Sequence, residues 1–262
     1  MRLRSCAKPV TFALCARFTV RGCRIVRARI RYGKAMAVGL SDRGKTIPCL
    51  SFRELEPEMT RVTEAIKARV SANNFDTTHV MTQAEVSALV ALAGEAPTSF
   101  NQQNWRAIAV TSAEGKAKLM GLAWGQAKVG AAAVTFIMVG KSTGYKDIPA
   151  MFASTVAAGH MPQETLDGMA GMAVGLYGPN PTLQRDEAVR GASLAGMTLM
   201  LAAHDMGLAT GPMIGFDAAG VSAAFGLTAD EVPAMLITCG TAAPGNWPRK
   251  ARRPVAEVVS FA

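Results

Sequence analysis

Cysteine is the first scarcity. Of five cysteines in 262 residues, four (Cys6, Cys15, Cys23 and Cys49) fall in the first 58, and only Cys239 lies beyond them. A body with one cysteine is no disulfide scaffold, and it fits a reducing cytoplasm. Histidine is as sparse: His79, His160 and His204 stand far apart, with neither H-E-x-x-H nor C-x-x-C, so the sequence offers no metal site. The longest apolar run, Val129 to Gly140, is 12 residues, short of the ~20 that span a bilayer. The dinucleotide fingerprint G-x-G-x-x-G does not occur. Two partial motifs fail on spacing. GKST at 140–143 needs a glycine where Thr135 stands, and GASLAG (191–196) is one residue out for a G-x-S-x-G nucleophile elbow and lies within a helical pattern.

Acidic residues are scarce in one place only. The chain carries 28 Lys and Arg against 19 Asp and Glu, a net charge of +9. Residues 1–58 hold 13 of the basic and 4 of the acidic side chains, whereas 59–262 hold 15 of each. All the excess charge therefore sits in the extension, and the body carries no signature of a nucleic-acid or membrane binder. The extension is Arg-rich like a transit peptide, but VTFALCA is too short an apolar core for a secretory signal. The expectation is that Met59 is the functional start. Residues 1–58 are then a basic, Cys-containing extension, poorly ordered or translated from too far upstream, and 59–262 a single domain long enough for one sizeable core.

Helices and strands are interspersed in the body without a regular βαβ count, which predicts an α+β fold. Val62, Ala65, Ile66 and Val70 fall on one face of a helix over 60–72, with Arg69 on the same stripe. A guanidinium there either meets an anion or snorkels to the helix edge. A capping box, Thr82-Gln-Ala-Glu85, opens a second helix. Apolar runs at 107–111, 131–140 and 232–240 read as strands, and the Met-rich 148–178 region as one or two helices. The longest helix, 185–206, is apolar nearly all round, which predicts burial in the core or at a subunit interface; Gly191 and Gly196 would admit a close neighbour, and a charge at Ala195 would disrupt that contact.

One loop stands out. APTSFNQQNWR (96–106) sets Thr98, Ser99 and four amides (Asn101, Gln102, Gln103, Asn104) beside Trp105. Amides present donors and acceptors without charge, which suits a flat heterocycle, though loops are polar by default. The loop resembles the flavin-contacting A-P-[ST]-S-x-N-x-Q-x-W segment of the nitroreductase family. Three further stretches match in order: ARVSANNFD (68–76), GLATGPMIGFD (207–217) and the G…WPRKARRP tail (240–254). The resemblance covers roughly 60–262.

That resemblance implies a nitroreductase-like fold: a central, mostly antiparallel sheet flanked by helices, with a long buried helix at a homodimer interface. It implies FMN as cofactor and NAD(P)H as reductant, with ping-pong hydride transfer through flavin N5 to nitroaromatics, quinones or activated alkenes. A flavin-holding protein with little turnover, or a dedicated reductase or dehydrogenase, is the alternative. The phosphate would be held by Arg69, Val70 and Ser71, with Arg249, Lys250 or Arg252 from the tail. The pyrimidine end would meet Asn73, Asn101, Gln126 and Lys128, with Asn73 standing where many relatives carry Lys or Arg. Pro212, Met213, Ile214 and Gly215 would lie along the ring, Gly215 permitting close backbone approach. Pro97, Thr98, Ser99 and Asn101 would lie over the partner's FMN. No side chain is expected to act as catalytic acid or base; Trp124 and Tyr177 are either lining or core aromatics.

Overall fold

The computed structural model describes residues 19–20, 23–31, 34–39 and 61–262. The rest of the 1–58 extension, and Met59 itself, lie outside the described residues. Within the extension, β1 (Thr19–Val20), β2 (Cys23–Arg31) and β3 (Lys34–Gly39) form a three-stranded antiparallel sheet of their own. Val62–Ala262 forms a separate compact unit.

That unit is built on a four-stranded, all-antiparallel sheet. β4 (Trp105–Val110), β5 (Val134–Lys141), β6 (Ala209–Met213) and β7 (Glu231–Gly240) are ordered β4-β5-β7-β6. β5 lies in the interior of the sheet and is covered on both faces, which is why its sequence is a continuous apolar run rather than an alternation. Val134, Phe136 and Met138 enter one core with Leu89 and Leu199; Ile137 and Val139 enter the other with Leu119 and Val129. The fold is α+β, as the element pattern predicts, with the antiparallel sheet that the resemblance implies.

α1 runs only from Arg61 to Ala68, and Val62 and Ile66 on its apolar stripe are 62% and 50% exposed. The expected buried face is open in the single chain. α2 (Gln83–Ala93) begins with the capping box as read: Thr82 Oγ1 accepts from the Glu85 amide at 3.2 Å, and Glu85 Oε2 accepts from the Thr82 amide at 2.7 Å. α3 (Ala113–Leu122) and the short α4 (Ala127–Ala131) cover the second face of the sheet. The Met-rich region, read as one or two helices, forms two: α5 (Ile148–Ala157) and α6 (Gln163–Tyr177).

α7 spans Pro181–Asp205, starting four residues before the expected Arg185, because Asn180 caps it by accepting from the Leu183 amide at 3.0 Å and Pro181 fits the first turn. Its small residues face inward. Ala188, Ala192, Ala195 and Ala203 are fully buried, and a side chain at Gly140 of β5 would overlap the Ala188 carbonyl. The two helix glycines also turn out to serve the chain's own interior. Gly191 makes room for the Asn104 side chain, and Gly196 packs on Ile237 and Met235. A charge at Ala195 would therefore break the core rather than a subunit contact. The outward apolar positions are Leu194 and Met197, 41% and 37% exposed.

An ion pair locks the edge strand to β7. Arg106 Nε and Nη2 meet Glu231 Oε1 and Oε2 at 2.5 and 2.9 Å, bridging from β4 across β5. The hydrogen bond from Arg106 holds the Glu231 carboxyl well down, to about 2. An unfolded glutamate titrates near ~4.3, so this contribution to stability is complete above that pH and is lost as the pH falls toward 2. Thermal melts should hold steady from pH 7 to 5 and then decline through that window, with a shallower decline in Glu231→Gln. A parallel decline in both proteins would remove Glu231 from the account.

Candidate active site

The 68–76, 207–217 and 240–254 stretches converge beside the β6 edge of the sheet. Ser71 bridges to Thr210 of β6, and the Ala72 amide donates to the Thr210 carbonyl at 2.9 Å, so the 68–76 segment runs alongside the strand. Gly211 is required there, since a Cβ would overlap the Ala72 carbonyl oxygen. Phe75 bridges to Ala242, and Asn246 completes the clamp. Its Oδ1 accepts from the Asn73 and Asn74 amides at 2.7 and 2.9 Å, while its Nδ2 donates to the Asn74 carbonyl at 2.8 Å. Sequence reasoning missed Asn246; its only signal was a polar amide one residue before the matched W-P-R-K run.

Val70, Ser71, Asn73, Lys128, Pro212, Trp247, Pro248, Arg249, Lys250 and Arg252 line a cavity of about 270 Å³. Four of these are cations and none is a carboxylate. Lys128 reaches Asn73 Oδ1 at 3.3 Å, and burial lowers its pKa from the usual lysine value. Lys250 Nζ stands 5.7 Å from the Trp247 ring, a cation–π distance. Arg249 has a structural task as well. Its Nε donates to the Lys67 carbonyl at 2.8 Å and its Nη2 to the Ile66 and Arg69 carbonyls at 2.7 and 2.6 Å, closing the C-terminal end of α1.

Arg69 lines an adjoining cavity of about 250 Å³ that shares Val70 with the first. Its Nε and Nη1 are buried without a hydrogen-bond partner. Burial depresses its pKa first, and the neighbouring Arg249 and Arg252 depress it further. Partly desolvated guanidinium groups held together without a countercharge are unfavourable unless an anion joins them. The donor set fits a phosphate dianion.

At the ring-contacting stretch, Gln126 Nε2 donates to the Gly215 carbonyl at 2.8 Å, joining the turn before α4 to the end of β6. Met213 is buried, whereas Ile214 is 79% exposed. Trp124 is 71% exposed and so is no core aromatic. Tyr177 is one: it is buried, stacks on Tyr145 at 5.6 Å, and its hydroxyl donates to Ser99 Oγ at 2.8 Å.

Pro97, Thr98, Ser99 and Asn101 do not line the cationic cavity. Their loop is held by its own bonds. Thr98 Oγ1 accepts from the Gln103 amide at 3.0 Å, and Phe100, Asn101 and Gln103 all adopt positive φ, of 52°, 50° and 43°. Such strain in non-glycine residues persists only where the surroundings impose it. Two of the four amides are buried. Gln102 and Asn104 are 4% and 3% exposed; the Asn104 main-chain carbonyl accepts from the Lys141 amide at 2.7 Å, and its side-chain Nδ2 donates to the Lys141 carbonyl at 3.5 Å. Asn101 and Gln103 remain exposed.

The failed motifs have structural explanations. Ser142 and Thr143 of GKST both donate through their hydroxyls to Asp230, tying off the end of β5. Burial pushes the Cys239 thiol up to about 12, so it is an inert core residue. No helix among the described residues is long and apolar enough to cross a membrane.

An α+β body with a cationic, carboxylate-free cavity beside the edge strand of an antiparallel sheet defines a protein built to hold an anionic ligand. The chain belongs to the nitroreductase family: that family's model matches residues 66–241. It is 31% identical over 205 residues, 78% of this chain and 100% of the other, to MhqN of Bacillus subtilis, provisionally named an NAD(P)H nitroreductase. A provisionally named nitroreductase of Exiguobacterium sibiricum, solved in complex with FMN, is 30% identical with a TM-score of 0.71, covering 79% of this chain and 99% of that one. The ydfN nitroreductase structure from Bacillus subtilis, also provisionally named, gives 31% identity and a TM-score of 0.73, covering 76% and 98%. The chain is accordingly an oxidoreductase of that family.

Proposed function

We propose that the protein is an FMN-dependent oxidoreductase that takes electrons from NAD(P)H and delivers them to electron-poor acceptors. The observation that carries this reading is the cavity with Lys128, Arg249, Lys250 and Arg252 on its walls, no carboxylate, and the unpartnered Arg69 guanidinium next to it. When bound, FMN supplies two-electron chemistry between a nicotinamide donor and a nitroaromatic, quinone or activated alkene, in alternation within one pocket.

The chain's own residues divide the work. Ser71, Lys250 and Arg252, with Arg249 and Arg69, hold the phosphate; Val70 contributes backbone and apolar wall. Lys128, oriented on Asn73, and Gln126 offer donors to the pyrimidine end, where negative charge accumulates on reduction. The Pro212–Gly215 backbone lies along the ring, with Met213 anchoring the stretch in the core and Ile214 facing outward. None of these groups needs to move a proton as a side-chain acid or base.

The working unit is a homodimer in which Pro97, Thr98, Ser99 and Asn101 of one chain close over the cofactor of the other. Support comes from the separation of that loop from the cavity, and from the open apolar positions Val62 and Ile66 on α1 and Leu194 and Met197 on α7. Residues 59–262 carry the whole activity and the excess basic charge of 1–58 has no part in it. A cytoplasmic location accords with the lone, buried cysteine of the body.

Steady-state turnover tests the reading. FMN-loaded protein should oxidise NADPH or NADH in proportion to added quinone or nitroaromatic, with parallel double-reciprocal lines. Bound FMN without acceptor-dependent turnover would reduce the protein to a flavin carrier.

A further inference from the structure

Trp124 combines two features that folding alone does not favour. An indole is among the most profitable side chains to bury, yet this one is 71% exposed. Its backbone is left-handed, φ 55°, and Gly125 after it has φ 74°. Bulky residues rarely adopt that region, and departures of this kind concentrate at binding sites.

The turn delivers the indole to the end of β6. A Cβ built on Gly215 would stand 3.2 Å from Trp124 Cζ3 and 3.2 Å from Gln126 Nε2, so the indole packs closely over the bare Gly215 backbone. The Gln126 bond to the Gly215 carbonyl, 2.8 Å, fixes the turn to the strand end. Ile214, 79% exposed, adds a second apolar surface, and Pro212 three residues before Gly215 already lines the cationic cavity. The result is an exposed aromatic surface at the end of β6, beside a strand whose Pro212 lines the charged pocket.

We propose that Trp124 is the surface on which the planar conjugated ring of the substrate stacks, and that it sets a preference for ring-bearing over ringless electron carriers. The inference rests on the flavin reading above, and it names the specificity determinant of that site. An electron-poor ring lies well on an electron-rich indole face. A quinone oxidant and the nicotinamide of the reductant share that chemistry.

Holoenzyme, Trp124→Ala and Trp124→Phe would be titrated in the oxidised state with anthraquinone-2-sulfonate and, separately, NADP⁺, following the flavin absorbance band. Turnover would be compared with the quinone and with ferricyanide, which has no ring. With NADPH saturating, Trp124→Ala should weaken quinone binding roughly tenfold and raise its KM alike, leave ferricyanide turnover unchanged, and recover most of the loss as Trp124→Phe. A parallel loss of NADP⁺ affinity assigns the surface to both half-reactions, and retained NADP⁺ affinity assigns it to the oxidant. Unchanged quinone affinity in Trp124→Ala, an equal loss with ferricyanide, no recovery in Trp124→Phe, or flavin lost from Trp124→Ala alone would overturn the proposal. A wild-type protein that takes up no FMN would sink the reading beneath it and the stacking surface together.

Discussion

Leu194→Asp should sediment as a monomer and carry no flavin. The aspartate would sit on the outward face of α7, where Leu194 and Met197 are exposed, and would leave the inward alanine stripe untouched. Burying an unpaired carboxylate in an apolar contact costs about 3–5 kcal/mol, enough to abolish an interface of ordinary strength. If each FMN is completed by the 97–101 loop of the other chain, cofactor retention and dimerisation are linked by mass action, and one falls with the other. Raising the FMN concentration should then restore part of the dimer. Sedimentation read at the flavin band distinguishes the outcomes, and a yellow monomer would return the loop to its own chain.

Arg69→Ala should weaken FMN binding by about 1.5–3 kcal/mol, the scale of hydrogen bonds to a charged group, and leave riboflavin binding unchanged. The apo protein should melt no lower than wild type. In the apo state the Arg69 Nε and Nη1 groups are buried without partners, and Arg249 and Arg252 repel the charge, so removal relieves an unfavourable arrangement. The two measurements together separate a ligand-directed arginine from a structural one. Equal losses for FMN and riboflavin would move Arg69 away from the phosphate.

The sequence made the site more legible than the helix faces around it. Val70, Ser71, Asn73, Lys128, Pro212, Arg249, Lys250 and Arg252 do meet in one cavity, because all but Lys128 came from stretches whose residue types answer a specific chemical demand. Asn246 escaped because its work is to bond backbone to backbone, a task that many asparagines in loops perform. Periodicity identified α1 and α7 but could not say what covers each face. On α1 the apolar stripe lies open, and on α7 the glycines admit the chain's own Asn104 and Ile237. Apolar spacing reports that a face is hidden from water, not which neighbour hides it. The same limit applies in the 96–106 loop. Four consecutive amides read as a recognition surface, yet Gln102 and Asn104 are buried.

The most direct measurement is the absorbance spectrum of the purified protein after incubation with FMN and removal of the excess. The account predicts bands near roughly 370 and 450 nm, as for any oxidised flavin, at one FMN per chain, bleached anaerobically by NAD(P)H and restored by a quinone. A protein that stays colourless in saturating FMN would contradict it.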